Sequence, residues 1–348
     1  MPELKEASFY EKKESGIQCQ LCPHFCFLAE NSIGKCGVRK NISGKLRSLV
    51  YGKPCSVAVD PIEKKPLFHF APGSMTISIS TMGCNLSCLH CQNWEISQYP
   101  KLYHKIVGED IPPKELFDSA VKSETAGMSW TYTEPTLFFE YFFDTAMFDI
   151  KRKFYQVWVT NGFTNVPVVR EASRLLDAAN VDYKGDDKFY QEICSARLEP
   201  VLEAMKEYRK LGVWIEIANL LIPGKNDSKD QILEMVKWIK ENLGSETPLH
   251  FSAYYPAYKM NIPATPTAII EKAIKIADDY LDYVYAGNIS SDRESTFCPK
   301  CKTLLIKREG FHVSEFILEK KGKDFFCPKC SHKIPIAGTK WIPKILTS

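Results

Sequence analysis

The sequence lacks the apolar segments that direct a protein into or across a membrane. Residues 1–16 are polar and of mixed charge, without the apolar core of a secretory signal or the arginine-rich, acid-poor character of a transit peptide. The longest apolar stretches elsewhere are interrupted by charged residues or proline before they reach membrane-spanning length. We therefore expect a cytoplasmic protein with no membrane partner.

The net charge of the chain is also small. The 45 lysines and arginines nearly balance the 42 aspartates and glutamates, which leaves a formal charge of +3 at pH 7. Nucleic acids and anionic membranes are usually bound by a clustered excess of positive charge. The composition indicates neither kind of partner, and its 45% apolar and 25% charged residues are typical of a folded globular protein.

Cysteine, in contrast, is abundant, with 13 residues. Without a secretory signal, metal ligation explains this number better than disulfide bonds do. Cys55 and Cys194 stand alone, and we expect them to be small buried apolar side chains without a functional role. The other eleven form a front group (Cys19, Cys22, Cys26, Cys36), a middle group (Cys84, Cys88, Cys91) and an end group (Cys298, Cys301, Cys327, Cys330).

Between the middle and end groups, short runs rich in β-formers alternate with segments whose apolar residues recur every three or four positions. Ser228 followed by Gln231 predicts a capping box at the start of one such helix. This alternation predicts an α/β fold with a parallel sheet, either an open doubly wound sheet or a partial (βα)6 barrel. The predicted strands are 75–81, 128–133, 155–160, 180–184, 213–222 and 249–254.

The middle group, Cys84-Asn-Leu-Ser-Cys88-Leu-His-Cys91, has the spacing C-x3-C-x2-C directly after the first predicted strand. Active sites of α/β proteins form at the carboxyl ends of their strands. Three thiolates are one short of a complete set for an iron–sulfur cluster, so a four-iron cluster here would keep one iron open. The alternatives are a zinc site completed by His90 or His69, and three unliganded thiols.

This motif, with the aromatic His90 before its last cysteine, resembles that of the radical S-adenosylmethionine (SAM) superfamily. The resemblance implies a TIM-like partial barrel and a [4Fe-4S] cluster whose open iron binds SAM. An electron from the cluster then cleaves SAM reductively, and the resulting 5'-deoxyadenosyl radical abstracts hydrogen from a substrate. It also implies an electron donor such as ferredoxin or flavodoxin.

Further residues match the same family at the ends of later strands. The resemblance assigns SAM contacts to Thr133 and Glu134 after the second strand, to Asn161 after the third, and to His90. It also places Asp182 near the ribose and Lys184 near the carboxylate of SAM, and their period-two spacing sets both on one face of a strand. Glu134 could instead be a helix N-terminal glutamate, and Asp182 with Lys184 a strand-end ion pair. Leu220–Pro223 could contact adenine or be core, and His250 could face substrate or be structural.

One branch of the superfamily is matched along nearly the whole chain. The segments that resemble the AmmeMemoRadiSam-system radical SAM proteins, relatives of pyruvate formate-lyase activating enzymes, extend from about residue 16 to residue 340. They are Cys19-Gln-Leu-Cys22-Pro-His-Phe-Cys26, Gly34-Lys-Cys36-Gly-Val-Arg39, Asp60-Pro-Ile-Glu-Lys-Lys-Pro-Leu-Phe-His69, Pro72-Gly-Ser74, Cys91-Gln-Asn-Trp94 and Tyr283-Val-Tyr-Ala-Gly287-Asn288. This resemblance implies Memo-like and AMMECR-like proteins as partners.

The two remaining cysteine groups predict further metal sites. Cys298-Pro-Lys-Cys301 and Cys327-Pro-Lys-Cys330 form a zinc-ribbon pattern, with a rubredoxin-like iron centre as the alternative. The front group favours zinc, with a second iron–sulfur cluster as the alternative and His24 as a possible replacement ligand. We therefore expect a Cys-rich N-terminal segment (1–74), a radical SAM barrel (75–290) and a C-terminal zinc ribbon (291–348).

Three functions are compatible with these features. The first is a radical SAM oxidoreductase that acts on a protein or other macromolecule, including activation of a glycyl-radical enzyme of the pyruvate formate-lyase type. The second is a radical SAM enzyme with a small-molecule substrate. The third is a non-catalytic zinc-binding scaffold, which requires that the middle group hold no open iron.

Overall fold

The computed structural model describes residues 4–347 as three connected regions built on one central sheet. None of the helices in this range is long and apolar enough to cross a membrane. The front region consists of a three-stranded antiparallel sheet and a hairpin, with strands β1 (Tyr10–Lys13), β2 (Gly16–Cys19), β3 (Phe27–Leu28), β4 (Arg39–Ile42) and β5 (Lys45–Ser48).

The central sheet has eight strands, and seven of them run parallel. The first strand pairs antiparallel with the second at one edge. In chain order the strands are β6 (Pro54–Pro61), β7 (Met75–Thr81), β8 (Gly127–Trp130), β9 (Tyr155–Thr160), β10 (Ala178–Asp182), β11 (Trp214–Leu221), β12 (Leu249–Ala253) and β13 (Val284–Gly287).

The strands lie side by side in the same order as along the chain. A doubly wound sheet reverses its strand order at a switch point, whereas right-handed connections in an unbroken order place all helices on one face. Because β6 and β13 do not pair with each other, the sheet remains open. The structure therefore selects the partial barrel from the two predicted arrangements.

The helices alternate with the strands of this sheet much as the apolar periodicity predicts. The Ser228 side chain accepts from the Gln231 backbone and the Gln231 side chain bonds back, so the predicted capping box is confirmed. In chain order the helices are α1 (Trp94–Ser97), α2 (Tyr99–Tyr103), α3 (Pro113–Lys122), α4 (Phe139–Ala146), α5 (Val166–Ala172), α6 (Asp187–Phe189), α7 (Glu199–Lys210), α8 (Lys229–Asn242), α9 (Thr267–Ala277) and α10 (Lys344–Thr347).

All six predicted strands exist, but the sheet is larger than predicted. The additional strands are the short β13 and the antiparallel β6. In β6, Val57 and Val59 are exposed because the strand lies at the edge of the sheet, so it shows none of the apolar alternation that marks a half-buried strand. The second predicted strand ends at Trp130 rather than at residue 133, since the chain turns at Tyr132, which has a φ of +64°.

The C-terminal module packs against the barrel through a buried polar contact. Arg308 donates to the carbonyl oxygen of Phe68 at 2.7 Å, and its guanidinium lies 4.2 Å from the centre of the Phe68 ring. Its Nε lies 3.6 Å from the carboxylate of the fully buried Glu63. The strands of this module are β14 (Thr296–Phe297), β15 (Leu304–Glu309), β16 (His312–Phe316), β17 (Glu319–Lys321), β18 (Asp324–Phe326) and β19 (Lys333–Ile334).

Candidate functional site

A cavity of about 360 Å³ opens where the parallel strands end. Parallel strands bring their carboxyl ends to the same edge, so residues that are distant in sequence meet there. All three middle cysteines line this cavity together with most of the predicted SAM contacts, namely Cys84, Cys88, Cys91, His90, Thr133, Asn161, Asp182 and Lys184. A wider cavity of about 550 Å³ at the junction with the C-terminal module faces none of the middle cysteines, so the chemistry points to the smaller one.

The sulfurs of the middle cysteines are spaced more widely than the ligands of a single ion. Among residues 4–347, the only set of three or more His, Cys, Asp or Glu side chains with all ligand atoms within 4.8 Å is the end group. The sulfurs of Cys84, Cys88 and Cys91 are therefore spread more widely than the ~3.8 Å that tetrahedral Zn–S bonds of about 2.3 Å impose. In a four-iron cluster each thiolate binds a different iron, which fits this wider spacing.

A zinc site completed by His69 does not form in this structure. The His69 Nδ1 lies 2.7 Å from the carbonyl oxygen of Pro335, and its Nε2 lies 2.6 Å from the Tyr285 hydroxyl. Burial lowers the pKa of His69 to about 4, so the ring is neutral and belongs to the contact between barrel and C-terminal module.

Two of the predicted SAM contacts form an ion pair at the cavity wall. The Lys184 Nζ lies 2.7 Å from a carboxylate oxygen of Asp182. Burial alone would lower the pKa of Lys184, but the Asp182 carboxylate, together with the Cys88 and Cys194 side chains, raises it well above its ordinary value. Lys184 is therefore a permanent cation beside the cysteines, as a residue that neutralises a ligand carboxylate must be.

His90 and Asn161 occupy the space around the cysteines. The Nδ1 of the buried His90 has no hydrogen-bond partner within the described residues. Burial, aided by the charge of Lys184, lowers the pKa of His90 to about 3, so at neutral pH the ring is uncharged. The Asn161 amide donates to Asn85 at 2.8 Å and lies 3.6 Å from the Cys84 sulfur.

Glu134 is the predicted contact that does not line the cavity. Its carboxylate is completely buried and accepts hydrogen bonds from Thr136, from the Thr160 hydroxyl and from the backbone of Asn161. Burial raises the pKa of this carboxyl. In this structure Glu134 holds the end of β9 against the turn after β8, and it is the preceding residue, Thr133, that faces the cavity.

The structure also locates His250 and the 220–223 segment, for each of which the sequence left two interpretations. The His250 Nε2 lies 2.8 Å from Glu216, and the residue is buried outside the cavity, which agrees with the structural interpretation. From the 220–223 segment only Leu220 lines the cavity, because Leu221 and Ile222 are buried in the core.

The cavity has a second cation that the sequence analysis did not select. Lys65 is 1% exposed, and its Nζ lies 2.8 Å from Asp60 and 4.6 Å from the centre of the Tyr132 ring. Burial lowers the pKa of Lys65 to about 8, even though Asp60 opposes this change. The Tyr132 hydroxyl donates to Asp60 at 2.5 Å. The only signal in the sequence was the family-like Asp60–His69 motif, which indicated a branch and not a site.

Cys194 is buried, as predicted for a small apolar side chain, and it also lies beside the site. It is completely buried, and contact between the two thiols raises the pKa of Cys88. Its carbonyl oxygen accepts from the backbone of Ser87 at 3.0 Å. No local pattern could have revealed this, because Cys88 and Cys194 lie far apart in the sequence.

We expect that Cys194→Ala leaves the cluster ligands in place. Cys194 does not line the cavity, whereas the three middle cysteines do. Iron content and SAM cleavage of the anaerobically reconstituted variant should therefore match those of the unmodified chain, whereas Cys88→Ala should lose iron. Loss of iron in Cys194→Ala equal to that in Cys88→Ala would instead identify Cys194 as a fourth ligand.

The four cysteines of the end group lie close enough together to hold one metal ion, which agrees with the prediction of a metal site there. The sulfurs of Cys298 and Cys330 are 3.6 Å apart, and those of Cys301 and Cys327 are 3.5 Å apart. These distances fit four thiolates around one ion. Zinc remains the prediction for this ion.

Known proteins similar to this chain fall in two groups. An uncharacterized protein of Methanocaldococcus jannaschii is 42% identical over 339 residues, which cover 96% of this chain and 99% of that protein. A second uncharacterized protein of the same organism is 26% identical over 304 residues, with coverages of 82% and 81%.

Among solved structures, a domain of pyruvate-formate lyase-activating enzyme from Bacteroides vulgatus is 20% identical, with a TM-score of 0.41. The aligned region covers 47% of this chain and 99% of the solved domain. SuiB of Streptococcus suis bound to S-adenosylmethionine is 16% identical, with a TM-score of 0.48 and coverages of 68% and 56%. The sequence model of the radical SAM superfamily matches residues 78–239, which contain the middle cysteines, Asp182 and Lys184. This chain belongs to the radical SAM superfamily.

Proposed function

We propose that this chain is an enzyme that cleaves SAM reductively and abstracts hydrogen from a protein or other macromolecule. The observation that carries the proposal is the convergence of Cys84, Cys88 and Cys91 with the Asp182–Lys184 pair on one cavity. A four-iron cluster held by the three cysteines supplies, when bound, the electron that breaks the sulfonium bond of SAM.

The surrounding side chains orient SAM. Lys184 neutralises its carboxylate, and Asp182, whose side chain is about one-third exposed, can accept a hydrogen bond from a ribose hydroxyl. The neutral His90 adds no charge next to the cluster ligands, and its unpartnered Nδ1 can bond to SAM.

The size of the cavity supports a substrate that reaches in from outside. A volume of about 360 Å³ lies near the lower end of the roughly 300–1,000 Å³ found for small-molecule sites. SAM alone occupies most of such a space, so the substrate presents only its reacting group. Lys64, Lys65 and Tyr132 also line the cavity, and the Lys65 ammonium with the Tyr132 hydroxyl suits an anionic or carbonyl group of the substrate.

The finer assignment follows from the sequence motifs. The Asp60–His69 motif supports membership of the AmmeMemoRadiSam branch, with Memo-like and AMMECR-like proteins as partners and ferredoxin or flavodoxin as electron donor. Activation of a glycyl-radical enzyme is the more specific form of the same proposal, supported by the activase-like ends of β9 and β10.

The test is formation of 5'-deoxyadenosine. The chain is reconstituted anaerobically with iron and sulfide, reduced with dithionite in the presence of SAM, and the product is quantified. Formation of 5'-deoxyadenosine that requires both the chain and the reductant supports the proposal. A chain that takes up only zinc and leaves SAM intact would contradict it and favour the scaffold function.

A narrower prediction concerns Lys184. Replacing it with methionine keeps the apolar stem but removes the charge-assisted bond to the SAM carboxylate, which is worth about 1.5–3 kcal/mol. We expect the Kd for SAM to rise about 10- to 150-fold. Equilibrium dialysis with labelled SAM measures this change, and Lys188→Met, an exposed lysine outside the cavity, is the matched control. Equal affinities of the two variants would remove Lys184 from the SAM site.

A further inference from the structure

The four front cysteines surround one region of the N-terminal segment. Cys19 ends β2, and its backbone N–H donates to the carbonyl oxygen of Cys26 at 2.9 Å. A Cβ placed on Gly34 would lie 3.7 Å from the Cys36 sulfur and 3.8 Å from the Cys26 sulfur. The Cys22 thiol interacts electrostatically with the other three thiols. The front group is therefore a single cluster of four thiols in space.

These thiols are not arranged around a single ion. The end group of the same chain is an internal standard for one, with sulfurs 3.5 and 3.6 Å apart. All sulfurs of the end group lie within 4.8 Å of one another, whereas within residues 4–347 no three sulfurs of the front group do so. The front group shares this wider spacing with the middle group, which belongs to the cluster-binding motif.

We infer that Cys19, Cys22, Cys26 and Cys36 bind a second iron–sulfur cluster, which passes electrons to the cluster at the middle group. Ligand sulfurs of a four-iron cluster are about 6 Å or more apart because each binds a different iron, whereas sulfurs on one zinc are ~3.8 Å apart. This reverses the preference for zinc that spacing along the sequence alone suggested.

The position of the front group supports an electron-transfer role. None of its four cysteines lines the SAM cavity. The His24 Nε2 lies 2.8 Å from the carbonyl oxygen of Asn85, the residue after Cys84. On the other side of Cys84, a Cβ at Gly83 would lie 3.1 Å from the carbonyl oxygen of Cys36. One hydrogen bond and one close approach of the backbone thus bring the front group next to the loop that carries Cys84.

The surroundings also provide an unused hydrogen-bond donor. The guanidinium of Arg39 is buried and interacts electrostatically with Cys19 and Cys36. Its Nε has no hydrogen-bond partner among the described residues. A cluster with four thiolates and inorganic sulfides carries negative charge and has acceptors for this N–H.

The electrons pass in two steps. A one-electron donor, either a ferredoxin or a flavodoxin, is oxidised as the front cluster is reduced, and the front cluster is oxidised again as the middle cluster is reduced.

The decisive sample is the full chain with Cys84, Cys88 and Cys91 all replaced by alanine, reconstituted anaerobically. We expect it to retain about four irons and four sulfides per chain, together with about one zinc at the end group. After reduction it should show an iron–sulfur EPR signal that does not change on addition of SAM. About two zinc ions and no iron in this variant would overturn the inference.

The reciprocal variant, Cys19→Ser with Cys22→Ser, should lose the SAM-insensitive signal and keep the SAM-sensitive one. Its 5'-deoxyadenosine formation should slow with reduced flavodoxin as donor but persist with dithionite, a small reductant that reaches the middle cluster directly. Equal rates with flavodoxin in variant and unmodified chain would overturn the electron-transfer role. Cys55→Ser, in a half-buried thiol outside all three groups, is the control.

The electron-transfer role rests on the proposed enzyme function, whereas the presence of the second cluster is tested independently of it. Iron in the triple alanine variant supports the second cluster even if the unmodified chain cleaves no SAM. Conversely, SAM cleavage by the unmodified chain stands even if the triple variant contains only zinc.

Discussion

Replacing Cys84, Cys88 and Cys91 together with alanine is expected to reduce 5'-deoxyadenosine formation to the level of a sample without protein. The three cysteines line the cavity in which we propose that SAM binds, and they are the proposed ligands of its cluster. Without them no iron is held at the position where SAM binds, so its sulfonium group receives no electron. The loss is complete rather than partial, because no other described cysteine lines this cavity.

The measurement compares product formed per chain under dithionite with that of the unmodified chain. Cys55→Ala is the matched control, since the Cys55 thiol is half-buried and belongs to none of the three cysteine groups. Circular dichroism and the zinc content of the end group show whether the triple variant is folded. A folded triple variant that still produces 5'-deoxyadenosine would mean that another site carries the chemistry.

The sequence predicts those parts of this site that depend on the spacing of nearby residues. C-x3-C-x2-C places three thiols in one loop, and period-two spacing brings Lys184, two positions beyond the end of β10, next to Asp182, the last residue of that strand. The alternation of strands and helices brings that strand end to the same edge as the cysteine loop. Each of these relations involves residues within a few positions of each other or the general geometry of a parallel sheet.

The parts that sequence misses depend on contacts between distant segments. Asp60 meets Tyr132 across 72 positions, and only the antiparallel edge strand β6 brings them together. That strand has exposed apolar residues and no alternation, so nothing local marks it. The position of Glu134 illustrates the opposite case, since a motif predicted its place in the chain but not its internal hydrogen bonds with Thr160 and Asn161.

The front region is joined to the barrel by an ion pair that is almost completely buried. Arg39 and Glu140 are 1% and 3% exposed, and the guanidinium bonds to both carboxylate oxygens, at 3.1 and 2.7 Å. Arg39 follows the last front cysteine by three positions, whereas Glu140 lies in α4 of the barrel. The pair therefore fixes the front cysteines relative to the barrel that carries the SAM cavity.

Replacing Arg39 with methionine is expected to lower the free energy of unfolding by about 3–5 kcal/mol, because the Glu140 carboxylate remains buried without its cation. Urea unfolding of the metal-loaded chain measures the change. Arg174→Met is the matched control, since the Arg174 side chain is 67% exposed and its pair with Glu171 contributes about 0–1 kcal/mol. An Arg39→Met, Glu140→Leu double variant should recover much of the loss, since it leaves no unpaired buried charge. If the single and double variants were equally destabilised, the cost would come from lost packing at this joint rather than from the isolated carboxylate.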